Sequence, residues 1–155
     1  MYETSKEIVS VLYDTASRIS AEVLELVKMD LLKYGLFVIG MDKQVTFNEA
    51  AALNSIIGTR LSVDEIVDLY KSVSWHMYRN TVPGMFEVFF AADKASDKPL
   101  RYTDSLTEHI TKMYITIGLD LAQSDGLSKD EVNQLHDFIQ FVESSMKQKF
   151  YSALS

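Results

Sequence analysis

Four carboxylates stand at matching places in two similar stretches of the sequence. Asp42 follows an apolar run and precedes Glu49 by seven residues, and Asp125 follows a second apolar run and precedes Glu131 by six. Hard divalent cations take oxygen ligands, which carboxylates supply. If the two stretches meet across a pseudo-twofold axis, the acids form one acidic site for a divalent cation or a basic partner. Asp42, Glu49, Asp125 and Glu131 are therefore candidate metal ligands.

The same stretches have a purely structural interpretation. Thr46 with Glu49, and Ser128 with Glu131, have the Ser/Thr-x-x-Glu spacing of a capping box, in which the glutamate accepts the backbone N–H of the cap residue. An aspartate in a turn commonly accepts a hydrogen bond from a nearby backbone N–H. Lys43, in the first turn, offers an internal counter-charge. Capping and turn formation therefore account for these acids without any ligand.

The remaining residues exclude several classes of site. The chain has no cysteine, which excludes thiol catalysis, thiolate metal sites and disulfides. A calcium-binding EF-hand loop fails in either register, because a start at Asp120 puts Asp125 where glycine is needed and a start at Asp125 puts Asp130 there. The sequence contains no His-Glu-x-x-His motif, glycine-rich phosphate loop or nucleophile elbow. We expect neither catalytic nor cofactor-binding residues.

The acidic balance of the chain limits its partners. The 155 residues carry a formal net charge of -7 at pH 7, which argues against a nucleic-acid binder because such a protein neutralises phosphates with lysine and arginine. It also argues against docking on an anionic membrane. The apolar stretches fall short of the roughly 20 residues of a membrane span, and the polar N-terminus lacks the pattern of a signal peptide. We expect a cytoplasmic protein without a membrane span.

Apolar residues recur at helical spacing along almost the whole chain, and only 6 Gly and 2 Pro interrupt them. We predict a single all-α domain over residues 1–155, a bundle of about seven helices with two related helix-turn-helix hairpins. Residues 21–40 and 106–124 have wide apolar faces and are expected at the centre. One further helix is expected to carry a continuous apolar stripe: Ile66, Tyr70, Val73 and Met77.

The succession of an apolar helix, an Asp turn and a Ser/Thr-x-x-Glu helix start resembles the tellurite-resistance TerB-like domains. The first matching segment is Gly35-Leu36-Phe37-Val38-Ile39-Gly40-Met41-Asp42, with Val45, Thr46, Glu49, Leu53 and Ile57. The second is Ile117-Gly118-Leu119-Asp120-Leu121-Ala122-Gln123-Ser124-Asp125-Gly126-Leu127-Ser128, with Glu131 and Leu135. Lys43 stands where the family pattern has glycine, and the second turn is one residue shorter. The resemblance implies an all-helical domain of paired motifs, linked to stress response and metal resistance.

Three functions remain open at this point. The leading hypothesis is a non-catalytic binding or regulatory module that responds to a divalent cation or a protein partner and is linked to tellurite or stress resistance. A small helical enzyme could instead use the turn carboxylates as general acid and base, if burial raised the pKa of one of them. The third hypothesis is a structural protein that forms a homodimer through its long C-terminal helix.

Overall fold

Eight α-helices account for most of the described chain, and the predicted all-α class is confirmed. The computed structural model describes residues 3–41, 44–126 and 128–151. A 3₁₀ turn (Gln123–Asp125) and a π-helical turn (Lys147–Tyr151) complete the helical elements. None of the helices in these ranges is long and apolar enough to cross a membrane. The helices are α1 (Glu3–Ile19), α2 (Ala21–Ile39), α3 (Phe47–Ile57), α4 (Val63–Ser72), α5 (Trp75–Arg79), α6 (Gly84–Lys94), α7 (Leu106–Ala122) and α8 (Lys129–Met146).

Side-chain caps fix where most of these helices begin. Thr46 and Ser62 each accept the N–H three residues later, and the glutamate there accepts the N–H of the cap residue, so both capping boxes are complete. Ser20 and Ser105 cap α2 and α7. Each cap pairs an N–H that has no partner within its helix. At the end of α3, Gly58 has a φ of 85°, a left-handed conformation that glycine adopts without steric cost.

The apolar stripe expected to run through Met77 is interrupted, so this prediction was wrong. α4 ends at Ser72 and α5 begins at Trp75. The Trp75 indole N–H donates to the backbone carbonyl of Tyr70 at 2.8 Å, a carbonyl in the last turn of α4 that also accepts the N–H of Val73. Because the chain changes direction here, Met77 is 66% exposed.

The helices α2 and α7 form the centre of the molecule, as predicted. Residues 36–39 at the end of α2 are buried. The rings of Tyr34 on α2 and Tyr114 on α7 have centroids 4.3 Å apart, and the Tyr34 hydroxyl donates to the Tyr114 carbonyl oxygen at 2.6 Å. A buried hydroxyl without a partner costs free energy. The bond therefore lets a tyrosine stand at the crossing of the two central helices.

Each of the two hairpins is closed by a leucine that packs over a glycine. A Cβ atom added to Gly35 of α2 would lie closer than 3.0 Å to Leu53 of α3. One added to Gly118 of α7 would lie 2.8 Å from Leu135 of α8, and closer still to the Tyr34 hydroxyl of α2. The glycines thus let the second helix of each hairpin approach the first. Because both pairs occupy equivalent places in the two sequence motifs, the predicted related hairpins are present in the fold.

A hydrogen bond holds α1 against the end of α7, next to the second turn. The buried Ser5 hydroxyl of α1 donates to the carboxylate of Asp120 in the last turn of α7. Hydrogen bonds to an ionised group are roughly twice as strong as neutral ones. Asp120, which a calcium-binding loop would have used as a ligand, has a structural partner in this fold.

Candidate functional site

The two hairpin motifs approach each other through α3. This helix follows the first turn, and it packs against the 3₁₀ turn Gln123–Asp125, which belongs to the second. It also packs against α7, the helix that leads into that turn. Two stretches far apart in the sequence are thus neighbours in the fold. A shared carboxylate surface requires such a contact.

Glu49 is a buried capping residue at the start of α3. It is 4% exposed, and its Oε1 accepts the backbone N–H of Thr46 at 3.0 Å. In return, the N–H of Glu49 donates to Thr46 Oγ1 at 3.1 Å. A buried carboxylate needs hydrogen bonds or a counter-charge, and the capping box supplies the bonds. The structural interpretation of Glu49 is confirmed, so a metal ion would have to share a carboxylate that already holds the helix start.

Glu131 occupies the equivalent place at the start of α8 and bonds differently. Its N–H donates to Ser128 Oγ at 3.1 Å, and its Oε1 accepts the Ser128 hydroxyl at 3.0 Å. The serine side chain therefore bonds both the backbone and the carboxylate of Glu131. Glu131 is half-buried, which leaves its carboxylate more open to solvent than that of Glu49.

The structure does not describe the side chain of either turn aspartate of the predicted site. Asp42 lies outside the described residues, together with Lys43, and so does the side chain of Asp125. Within the part of the chain that is described, no group of three or more His, Asp or Glu side chains is arranged to hold a metal ion. A metal site at the turns therefore depends on Asp42 and Asp125, and these are the residues that a test must change.

Asp30 is a buried carboxylate that the sequence did not single out. It projects from α2 and accepts the backbone N–H of Met85 at 2.7 Å. It thereby caps α6, whose own N-cap residue, Pro83, makes no side-chain bond. Burial raises the pKa of Asp30, and the Met85 bond and the charge of Lys33 oppose that rise. Its partner lies on a distant helix, so the local pattern around Asp30 carries no signal of this role.

A small pocket opens where α5 lies beside α8. The buried rings of Phe37 and Phe138, with centroids 5.1 Å apart, form its floor. Arg79 covers Phe37 with its guanidinium carbon 5.5 Å from the ring centroid, and its Nη2 donates to Gln134 Oε1 at 3.0 Å. Asp137 completes the lining of a cavity of about 180 Å³. We call this cavity the Arg79 pocket.

The comparisons with known proteins assign no family. No protein-family model matches the chain, and no curated protein or solved structure matches it. The resemblance to TerB-like domains therefore rests on its motif residues. Any function must be inferred from the chemistry of the residues described above.

Proposed function

We propose that this protein is a non-catalytic binding or regulatory module that binds its ligand where the two hairpin turns meet. We call this region the hairpin-turn surface and define it by Asp42, Glu49, Asp125 and Glu131. The observation that carries the proposal is the packing of α3 against the 3₁₀ turn Gln123–Asp125. This packing brings together two acidic motifs that are distant in the sequence, and this proximity supports the proposal of a shared ligand.

Charge supports a cationic ligand at the hairpin-turn surface. The whole chain carries a formal net charge of -7, so its field favours a cation over an anion. Carboxylates brought close together repel each other, and a bound cation removes that cost. A divalent metal ion fits the oxygen donors best, and a basic protein partner is the second form of the same proposal. Because Glu49 and Glu131 also begin α3 and α8, binding there would act on both helix starts.

The resemblance to TerB-like domains extends the proposal to a biological setting. That family is tied to stress response and metal resistance, and the match lies in the two turn motifs that form the hairpin-turn surface. We propose a role in tellurite or stress resistance in the cytoplasm for this chain as well. The support is the pairing of the motifs rather than any single residue.

The two other hypotheses receive less support from the described residues. An enzyme would need an acid of raised pKa beside a bound substrate, whereas Asp30, whose pKa is raised by burial, caps α6 inside the core. A dimer through the C-terminal helix would need a free apolar face on α8. Its apolar stripe is instead buried within the same chain: Leu135, Phe138, Ile139, Val142 and Met146.

Thermal unfolding in the presence of divalent ions tests the proposal. A ligand that binds only the native state raises the melting temperature with its concentration, by an amount equivalent to about 2.7 kcal/mol at 100 times Kd. We expect such a rise for the parent and its loss in the Asp42→Asn/Asp125→Asn variant. The matched control is Asp97→Asn/Asp104→Asn, which removes the same charge at the opposite end of the 17-residue α7, about 25 Å away. Equal losses in both variants would contradict a local site.

A further inference from the structure

The short helix α5 (Trp75–Arg79) packs on the surface of the molecule through its side chains. None of its residues is buried, and its N-cap residue, Ser74, makes no side-chain bond to the helix. Ring contacts hold it in place: Trp75 stacks on Tyr70 at 4.8 Å, and Tyr78 stacks on Phe138 at 5.1 Å. The rings of Trp75 and Tyr78 also pack against Phe37. A helix this short is not stable on its own. Its position therefore depends on these side-chain contacts.

Closure of α5 leaves one hydroxyl without a partner. The Tyr78 hydroxyl is buried and forms no hydrogen bond with any described residue. Burial raises the pKa of Tyr78, and the nearby Tyr34 and Asp30 raise it further. Leaving a buried hydroxyl unpaired weakens the closed arrangement by roughly fivefold or more in its equilibrium constant. Solvent could pair this group if α5 lifted.

In its closed position α5 also brings a positively charged side chain, Arg79, to the wall of the Arg79 pocket. A guanidinium held over an aromatic ring is a cation–π contact, and here Gln134 accepts one of its N–H groups. The exposed Asp137 adds a carboxylate to the lining. Aromatic faces beside a carboxylate are the surroundings in which an arginine side chain binds well. The Arg79 guanidinium already lies against these surroundings, at the wall of the cavity.

We propose that the Arg79 pocket binds the guanidinium group of an arginine side chain from a basic partner protein, and that this group takes the place over the Phe37 ring that Arg79 holds until the partner displaces α5. The net charge of -7 favours a basic partner. A cavity of about 180 Å³ suits one head group, since pockets for whole small molecules span roughly 300–1,000 Å³. The proposal uses none of the residues that define the hairpin-turn surface. The two sites are nevertheless close on α8, where Gln134 of the pocket lies one helical turn from Glu131 of that surface.

Peptide titration followed by NMR tests the proposal. The probe is a nine-residue peptide of alternating arginine and glycine, and its control carries citrulline, which keeps the shape of arginine and lacks its charge. The parent should bind the arginine peptide with shifts around the Arg79 pocket. Arg79→Gln removes the internal competitor and should lower Kd about two- to fivefold, the size of an exposed cation–π contact. Asp137→Asn should raise Kd.

Two controls separate this site from others. Arg18→Gln makes the same charge change on α1, where Arg18 pairs with Asp14 at 2.9 Å, and it should leave Kd unchanged. A peptide held at the hairpin-turn surface would respond to Asp42→Asn/Asp125→Asn and not to Arg79→Gln. Weaker binding by Arg79→Gln would overturn the proposal, because Arg79 would then be the contact itself. Equal binding of the two peptides, or no binding by the parent and Arg79→Gln, would overturn it as well.

Hydrogen exchange tests the displacement of α5 by itself. Tyr78→Phe removes the unpaired hydroxyl, so the amides of residues 75–79 should exchange about fivefold more slowly, or more slowly still, and the peptide should bind more weakly. The control is Tyr34→Phe, which loses a hydroxyl that is bonded to the Tyr114 carbonyl and should not slow this exchange. Unchanged or faster exchange in Tyr78→Phe would contradict a closed α5 weakened by its own tyrosine.

Discussion

Leu53 of α3 packs so closely over Gly35 of α2 that a Cβ atom at position 35 would overlap its side chain. At Gly118 of α7 an added Cβ atom would overlap Leu135 of α8 as well as the Tyr34 hydroxyl of α2, which lies nearest. The repetition in the sequence is therefore a repetition of packing as well as of turn residues. In each hairpin this contact fixes how closely the two flanking helices approach.

A methyl group at position 35 tests this close packing. Gly35→Ala gains about 0.5–1 kcal/mol of helix propensity, but it forces Leu53 to move in a filled core, which costs about 1–3 kcal/mol. We expect a net loss of about 0.5–2 kcal/mol in the free energy of unfolding, measured by urea denaturation. Gly84→Ala is the control, because its Cβ would meet Leu26 at an ordinary 3.4 Å. A Gly35→Ala variant as stable as the parent would contradict the observed contact.

The capping residues give a second prediction. Thr46→Ala and Ser128→Ala should each lower the free energy of unfolding by about 0.5–2 kcal/mol, because a backbone N–H at the helix start loses its acceptor. Thr46→Ala should cost more, since Thr46 belongs to a complete capping box with the buried Glu49. Ser74→Ala should cost little, because Ser74 makes no cap bond. Denaturant curves of Thr46→Ala and Ser128→Ala that overlay the parent would show that neither residue acts as a cap.

Asp30 makes stability depend on pH with a definite sign. Burial raises its folded-state pKa above the unfolded value of about 3.9. The folded chain therefore takes up a proton at higher pH, and the contribution of Asp30 to stability is fully present below the unfolded pKa and is lost as pH rises through the folded pKa. Asp30→Asn keeps an acceptor for Met85 without the charge. The stability of Asp30→Asn relative to the parent should fall as pH falls, and a difference independent of pH would refute the assignment.

Glu143 should show the opposite dependence. The Tyr102 hydroxyl donates to Glu143 Oε2 at 2.8 Å, and this bond is the main cause that lowers the pKa of Glu143, with Lys147 contributing. The associated stability is present above the unfolded pKa and is lost as pH falls through the folded one. In Tyr102→Phe the pKa of Glu143, followed by NMR, should rise. An unchanged pKa would mean that the hydroxyl does not control this carboxylate.

Helix ends could be predicted from the sequence because their chemistry is local. The Thr46–Glu49 box lies within a few residues of the helix start that it sets, and it begins α3 as expected. The break before α5 was missed, because the indole of Trp75 takes a carbonyl from α4 and periodicity alone does not record that competition.

The candidate site could be predicted only in part, because part of it depends on packing between segments that are distant in the sequence. The spacing to Thr46 and Ser128 predicted capping boxes with Glu49 and Glu131. The Thr46–Glu49 box is complete. The Glu131 carboxylate accepts the Ser128 hydroxyl in place of the backbone N–H, so the second box was predicted only in part. Sequence alone could not give the packing of α3 on the second turn, which joins distant segments. The Arg79 pocket also draws its lining from three separate helices, so no single stretch of sequence encodes it.

The central claim is that the two hairpin turns form one binding surface for a cation, and calorimetric titration tests it most directly. The parent, stripped of metal by a chelator, should bind a divalent ion with a stoichiometry of one per chain, since both turns share the ligand. Asp42→Asn/Asp125→Asn should lose that heat and keep its helical circular dichroism, whereas Asp97→Asn/Asp104→Asn should bind like the parent. Absence of heat with every divalent ion for the parent would contradict the metal form of the claim, and unaltered binding by the Asp42→Asn/Asp125→Asn variant would contradict the location.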